Sequence, residues 1–228
     1  MSLLRKIRKR LTRFRVRPIR VFCAHQVCDK FDAEAMWPAD WIETTQFKSR
    51  ISCLLAQGYR FISLKEAYSH ICNDWVRRKK YAVLTFDDGA ASVAEILPWL
   101  ENFSIPVTLF VNPAVLSGAA KRSKPFEVLS IAELQDLEIS YASILSIGNH
   151  GFTHVSSLEL PDDIFRQSVE DAEASLSMYT SRVPFYAYPY GKHTIRHDRY
   201  LLHSSLIPVL CDGQKNYTDS LVIHRELL

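Results

Sequence analysis

Eight short apolar runs, rich in β-branched and aromatic residues, alternate with stretches of helical periodicity, and this alternation is the strongest constraint on the fold. The runs 19–27 (IRVFCAHQV), 59–64 (YRFISL), 80–86 (KYAVLTF), 105–112 (IPVTLFVN), 143–149 (SILSIGN), 185–191 (FYAYPYG), 206–211 (LIPVLC) and 220–224 (SLVIH) read as strands. An amphipathic helix from about Thr45 to Gln57, stopped by Gly58, falls between the first two. Two capping boxes, Ser63 to Glu66 and Ser130 to Glu133, open further helices, and residues 90–103 form another. After Pro161, Phe165, Val169, Ala172 and Leu176 recur at steps of four, three and four, which predicts a helix with one buried face. Strands that alternate with helices form parallel sheets with crossover connections. No dinucleotide-type glycine fingerprint follows any strand, so a barrel fits better than a doubly wound sheet. The 228 residues fall short of the about 250 typical of eight units. The expected fold is therefore an α/β, distorted and shortened (β/α) barrel of about seven strands, in one domain over 19–228.

Charge separates the first 18 residues from that domain. Residues 1–20 hold nine Arg or Lys and no acid, whereas the remainder carries 19 basic against 25 acidic residues. A body with that balance is not a nucleic-acid-binding one. The arm has two readings: a solvated tail, or a short amphipathic helix with Leu3, Leu4, Ile7, Leu11 and Phe14 near one stripe, resting on anionic lipid. It lacks the apolar core of a secretory signal, and no run approaches 18 apolar residues. The expected location is the cytoplasm, with peripheral contact at the inner membrane face. Five cysteines, Cys23, Cys28, Cys53, Cys72 and Cys211, match no zinc spacing and read as free thiols.

Chemistry-bearing residues gather where strands end. Asp87 and Asp88 follow 80–86, His150 and His154 follow 143–149, and Tyr188 to Gly191 close another run. His25 falls at the end of the first strand and His224 at the end of the last. In barrels of this kind the active groups occupy the C-terminal strand ends. Adjacent carboxylates repel each other and resist burial, although Asp-Asp-Gly alone is equally a turn in water. One carboxylate and two imidazoles form a facial set that leaves metal positions open. Zinc is the first candidate, and nickel, cobalt, iron or manganese suit the same ligands. Gly89, Gly148, Gly151 and Gly191, four of the seven glycines, lie in these three segments, where backbone must bend sharply or approach a ligand.

Together these segments resemble the polysaccharide deacetylases with a NodB-homology domain, carbohydrate esterase family 4. TFDDG (85–89) is similar to the family's first motif and HGFTH (150–154) to its second. YAYPYG (186–191) resembles the variant third motif of the subgroup that includes the poly-N-acetylglucosamine deacetylases, and AHQV (24–27) that subgroup's early histidine motif. The resemblance covers roughly 19–225. It implies a distorted barrel of the NodB type and metal-dependent removal of N-acetyl groups from the amino sugars of a cell-surface polysaccharide or its precursor. Carried over by position, Asp88, His150 and His154 hold the metal and Asp87 is the general base. The backbone N–H of Tyr190 helps stabilise the oxyanion, and His25 is the general acid, with His224 as its rival. The substrate is an N-acetylated amino sugar in polymeric, lipid-linked or nucleotide-linked form.

The chain also departs from the pattern. Ala187 stands where the wider family carries an Arg that tethers the base, Ala24 where an aromatic is usual, and LCDG (210–213) is the nearest stretch to an Asp-Trp motif. Two other readings therefore stay open: a carbohydrate-binding or scaffold protein on this fold, and an amide hydrolase for a small non-sugar substrate. Trp37 and Trp41 are the candidates for sugar stacking, and Trp75 and Trp99 are read as packing residues.

Overall fold

The computed structural model describes residues 16–30, 32, 34, 38–73, 78–121, 126–218 and 220–228. The basic arm, apart from its last three residues, lies outside them, as do Trp37 and Trp75. In chain order the elements are β1 (Arg20–Ala24), β2 (Gln26–Val27), β3 (Trp41–Ile42), α1 (Thr44–Ala56), β4 (Tyr59–Phe61), α2 (Leu64–Asn73), β5 (Lys80–Phe86), α3 (Val93–Asn102), β6 (Val107–Val111), α4 (Pro113–Leu116), α5 (Ile131–Ser140), β7 (Leu145–Asn149), α6 (Asp162–Leu176), β8 (Arg182–Ala187), α7 (Ile195–His203), β9 (Ile207–Cys211) and β10 (Ile223–Leu227). No helix among the described residues is long and apolar enough to cross a membrane.

Seven strands, β1, β5, β6, β7, β8, β9 and β10, close into an all-parallel barrel. The remaining apolar run, β4, joins β5 at Lys80–Ala82 and stays outside the ring, because it shares its edge of β5 with β6, which takes Leu84–Phe86, while β1 holds the opposite edge at Ala82–Phe86. β2 and β3 form a separate parallel ribbon. The connection from β9 to β10 contains no helix, and a side chain ties the seam instead. Asn216 donates from Nδ2 to His224 O (2.6 Å) and accepts from His224 N at Oδ1 (2.8 Å), while its carbonyl accepts from Ile19 N (2.9 Å). One residue thus fixes the starts of both seam strands.

Alternation along each strand sorts the side chains into lumen and outer wall. The lower lumen is apolar: Val21, Tyr81, Val83, Phe110, Phe185, Val209 and Ile223 belong to one buried cluster. The outer wall packs under helices. Phe47, Ile51 and Leu54 of α1 and Val93, Ile96, Leu97 and Leu100 of α3 meet Phe22, Leu84, Phe86 and Leu109. The expected helix after Pro161 is α6, and its Phe165, Val169, Ala172 and Leu176 are all buried. Each fully buried large apolar side chain contributes about 1.5–3 kcal/mol. Capping follows the sequence reading: Ser130 Oγ accepts from Glu133 N (3.2 Å) and Glu133 Oε2 accepts from Ser130 N (2.7 Å).

Three expected strands end differently from the reading: the run 185–191 is strand only to Ala187, and Pro189–Gly191 is a single 3-10 turn. The run 19–27 breaks at His25, which leaves the sheet, and the last strand is 223–227 rather than 220–224. His224 is therefore near the start of β10, not at its end.

Gly148 in β7 is required by contact. A Cβ there would stand 2.5 Å from both Cδ1 and Cε1 of the buried Phe110 ring. Gly148→Ala is expected to lower stability by about 1–3 kcal/mol through overpacking. A reduced urea midpoint at unchanged slope checks this, and an unchanged midpoint would show that the lumen yields around Phe110.

Candidate active site

The barrel mouth bears a cavity of about 210 Å³ lined by residues from seven segments, among them His25, Asp87, Asp88, His150, His154, Tyr190 and Arg225. The chain reaches it through strained backbone. Asp87 N still donates to Ala24 O (3.0 Å), extending the pairing of β1 with β5. Asp88 (φ 75°) and Gly89 (φ 67°) then take two successive left-handed conformations. For Asp88 this costs about 1–2 kcal/mol, and it turns two neighbouring carboxylates to different tasks. His154 and Tyr190 also sit at φ 59°.

Asp88, His150 and His154 converge. Asp88 Oδ1 is 3.2 Å from His150 Nε2 and 2.9 Å from His154 Nε2, and all three residues are buried. His150 Nδ1–H donates to Ala187 O at 2.8 Å. That bond fixes the tautomer and leaves a lone pair on Nε2, aimed at a carboxylate oxygen. Two lone pairs facing each other at 3.2 Å repel, and a cation between them removes the conflict. The residues therefore fit a divalent metal, with three ligand atoms within 4.8 Å of one another.

The loop carrying the histidines is pinned. Asn112 Nδ2 donates to the carbonyls of His150 and, at 3.0 Å, of Gly151. Asn149 Oδ1 accepts from Gly151 N (2.7 Å), and Asn149 Nδ2 donates to Glu173 Oε1 (2.9 Å). These supports fix the backbone at His150 and Gly151, where the loop leaves β7.

Asp87 has a different partner. Arg225 Nη1 donates to Oδ1 at 2.6 Å and Nη2 to Oδ2 at 2.8 Å, a bidentate pair in which Arg225 is 1% and Asp87 3% exposed. Nη1 also donates to Thr85 Oγ1 at 3.0 Å, and the guanidinium lies over the Phe110 ring. Burial raises the Asp87 pKa, yet Arg225, helped by His150 and His25, brings it down to about 2. The tether expected from the third motif is thus absent at Ala187 and supplied by β10 instead. Arg225 had one signal in the sequence, a cation directly after the final apolar run.

His224 does not line the cavity. Alternation on β10 turns Arg225 into the lumen and His224 outward, where its Nδ1 meets Asp212 Oδ2 at 2.9 Å. The sequence pointed to the neighbour of the residue that faces the site. His25 does line the cavity, with Nδ1 buried and without a hydrogen-bond partner. Tyr190 is 55% exposed at the mouth, its ring 4.7 Å from that of His154. Asp40 borders the cavity too. Trp41 donates from Nε1 to Cys28 O (3.0 Å), and Trp99 packs on Phe47 and Phe103.

A family model described as polysaccharide deacetylase matches residues 76–203, more than half of the chain. No curated protein matches by sequence. Among solved structures, the chain is similar to IcaB from Ammonifex degensii, with TM-score 0.76 and 22% identity over 92% of this chain and 91% of that one. The Streptococcus pyogenes deacetylase PplD in complex with acetate gives TM-score 0.75 and 16% identity, covering 93% of each chain. The de-N-acetylase from Aggregatibacter actinomycetemcomitans gives 0.75 and 15%, over 93% and 95%. At these identities the likeness establishes the barrel fold.

The Asp87–Arg225 pair predicts a pH signature. Because the folded-state pKa of Asp87 is depressed from 3.8 to about 2, its stabilisation is present above pH ~4 and lost as pH falls toward 2, about 2 kcal/mol in all. In Arg225→Met the carboxylate is buried unpaired, which costs about 3–5 kcal/mol at neutral pH. Burial then raises the carboxyl's pKa, so the variant recovers stability as the pH drops and Asp87 takes up a proton. Urea midpoints at pH 7.5 and 5 are expected to show a gap to wild type that narrows at the lower pH. A gap independent of pH would mean that Arg225 acts only by packing.

Proposed function

The chain belongs to the polysaccharide deacetylase family, and from that membership we propose that it is a metal-dependent hydrolase that removes N-acetyl groups from amino sugars of a cell-surface polysaccharide or its precursor. The observation that carries this reading is one cavity holding both a fitted ligand set, Asp88, His150 and His154, and a separate carboxylate, Asp87, kept ionised by Arg225.

The acetamide carbonyl is attacked by water, and Asp87 accepts that water's proton. The bidentate arginine fixes both carboxylate oxygens in direction, at the expense of basicity, since a general base works best with a pKa near the operating pH. A divalent cation held by Asp88, His150 and His154 would supply the Lewis acidity that acidifies water and polarises the carbonyl, which suits a weakly basic Asp87. Zinc is the first candidate for this ligand set. His25, on the other side of Asp87, gives a proton to the nitrogen as the C–N bond breaks, so that acetate and a free amino sugar leave. The Tyr190 backbone N–H is the proposed oxyanion donor, and its left-handed conformation at the mouth is the kind of strain that active sites retain. The acetate complex of the Streptococcus pyogenes relative is compatible with this product.

The missing tether was the main feature favouring a binding protein on a retired fold, and Arg225 restores the tether from another strand. The basic N-terminal segment supports a site of action close to an anionic membrane face, on a lipid-linked, nucleotide-linked or polymeric acceptor.

Metal analysis and acetate release test this together. Wild-type chain is expected to hold about one transition-metal ion, lost in Asp88→Ala and His154→Ala with the fold intact by circular dichroism. Asp87→Asn is expected to keep the ion and lose about 10²–10⁴ in rate. Metal binding without acetate release from polymeric, lipid-linked or nucleotide-linked N-acetyl sugars would overturn the deacetylase reading in favour of a binding protein or another amide hydrolase.

A further inference from the structure

A second group of ligand-type side chains surrounds Asp87 on the side away from Asp88. Cys23 Sγ, a ring nitrogen of His25 and an Asp87 oxygen lie within 4.8 Å of one another. Cys23 Sγ is 3.5 Å from Asp87 Oδ2, and Cys211, at the end of β9, lines the same cavity. All four residues line the catalytic cavity. Cys23 is 1% exposed, and His25 Nδ1 is buried without a hydrogen-bond partner.

Two thiols lining one cavity suggest first a disulfide, but the barrel opposes it. Cys23 is on β1 and Cys211 on β9, with β10 between them. Backbones two strands apart are separated by about 9–10 Å. A disulfide needs Cα atoms within roughly 7 Å. A metal ion spans the wider gap, since each sulfur–metal bond adds about 2.3 Å. Charge favours it as well. Two thiolates and the Asp87 carboxylate against the Arg225 guanidinium leave two negative charges, which a divalent cation neutralises. Thiolate and imidazole together select soft and borderline ions over magnesium or calcium.

We infer that Cys23, Cys211, His25 and Asp87 form a second site, for a soft divalent cation such as zinc or cadmium, whose occupation inhibits the enzyme. Binding releases the two thiol protons and forms two metal–sulfur bonds, with no change of oxidation state. The bound ion withdraws Asp87 and His25 from proton transfer; this inhibitory part rests on the deacetylase reading, whereas the site itself does not.

Cobalt(II) is the probe that separates the two. Titrating the full chain is expected to load about two ions, the second giving a near-ultraviolet sulfur-to-cobalt charge-transfer band. The band should persist in Asp88→Ala, which removes a ligand of the first site only, and disappear in Cys23→Ser/Cys211→Ser. Cys211→Ser alone serves if the double variant fails to fold by circular dichroism. No thiolate band, or a band surviving both cysteine variants and so arising from Cys28, Cys53 or Cys72, would overturn the site, whatever the activity. With acetate release as readout, excess zinc should inhibit wild type, and Cys211→Ser should raise the inhibitory concentration about tenfold or more. A band without inhibition in an active enzyme would overturn the inhibitory role.

Discussion

The bidentate contact between Arg225 and Asp87 holds the upper barrel together. Taking two ions out of water costs several kcal/mol each, and only good geometry with further hydrogen bonds offsets it. Here both carboxylate oxygens are met, and Thr85 Oγ1 takes another arginine hydrogen. Apolar packing from Phe110 lies beneath the guanidinium. The pair links β10 to the end of β5 across the lumen, so closure of the ring and pairing of the buried Asp87 carboxylate are one event. Below it the lumen is filled by Val21, Val83, Phe185, Val209 and Ile223, and above it the side chains are polar. The boundary between a packed interior and a reactive mouth runs through this salt bridge.

Strain and support are also paired at the mouth. Asp88, His154 and Tyr190 account for three of the five described non-glycine residues in left-handed conformation, and all three line the cavity. Such residues persist where their surroundings over-determine them. Asn112 and Asn149 do this for the histidine loop, and Glu173 on α6 anchors Asn149 in turn. A helix on the outer wall thereby steadies imidazoles on the inner one.

The sequence disclosed what is local. TFDDG and HGFTH each put their candidate residues within a few positions of a strand end, so motif resemblance pointed to Asp87, Asp88, His150 and His154, and the last three do converge. The helix with buried Phe165, Val169, Ala172 and Leu176 was legible because its period is short. Two things were not legible. Closure by seven strands depends on β4 and β6 dividing one edge of β5 while β1 takes the other, an allocation of pairings that no single run reveals. Arg225 meets Asp87 across 138 residues, and its orientation depends on the register of β10. A slip of one residue exchanges the inward and outward faces of a strand, which is why attention fell on His224. The motif residue that appeared lost at Ala187 had moved to another strand, and a motif reading has no means of following such a move.

The seam has a consequence for how the molecule comes into being. β10 lies between β9 and β1, so the first strand made and the last one meet only when nearly the whole barrel has been synthesised. Pairings of such high sequence separation form slowly, because loop closure must precede any gain from contact. Until β10 emerges, Asp87 lacks its guanidinium and the lumen lacks a wall. A nascent chain on the ribosome therefore carries the TFDDG and HGFTH segments yet no completed cavity. Biosynthesis itself delays the onset of chemistry until the final strand is threaded into place.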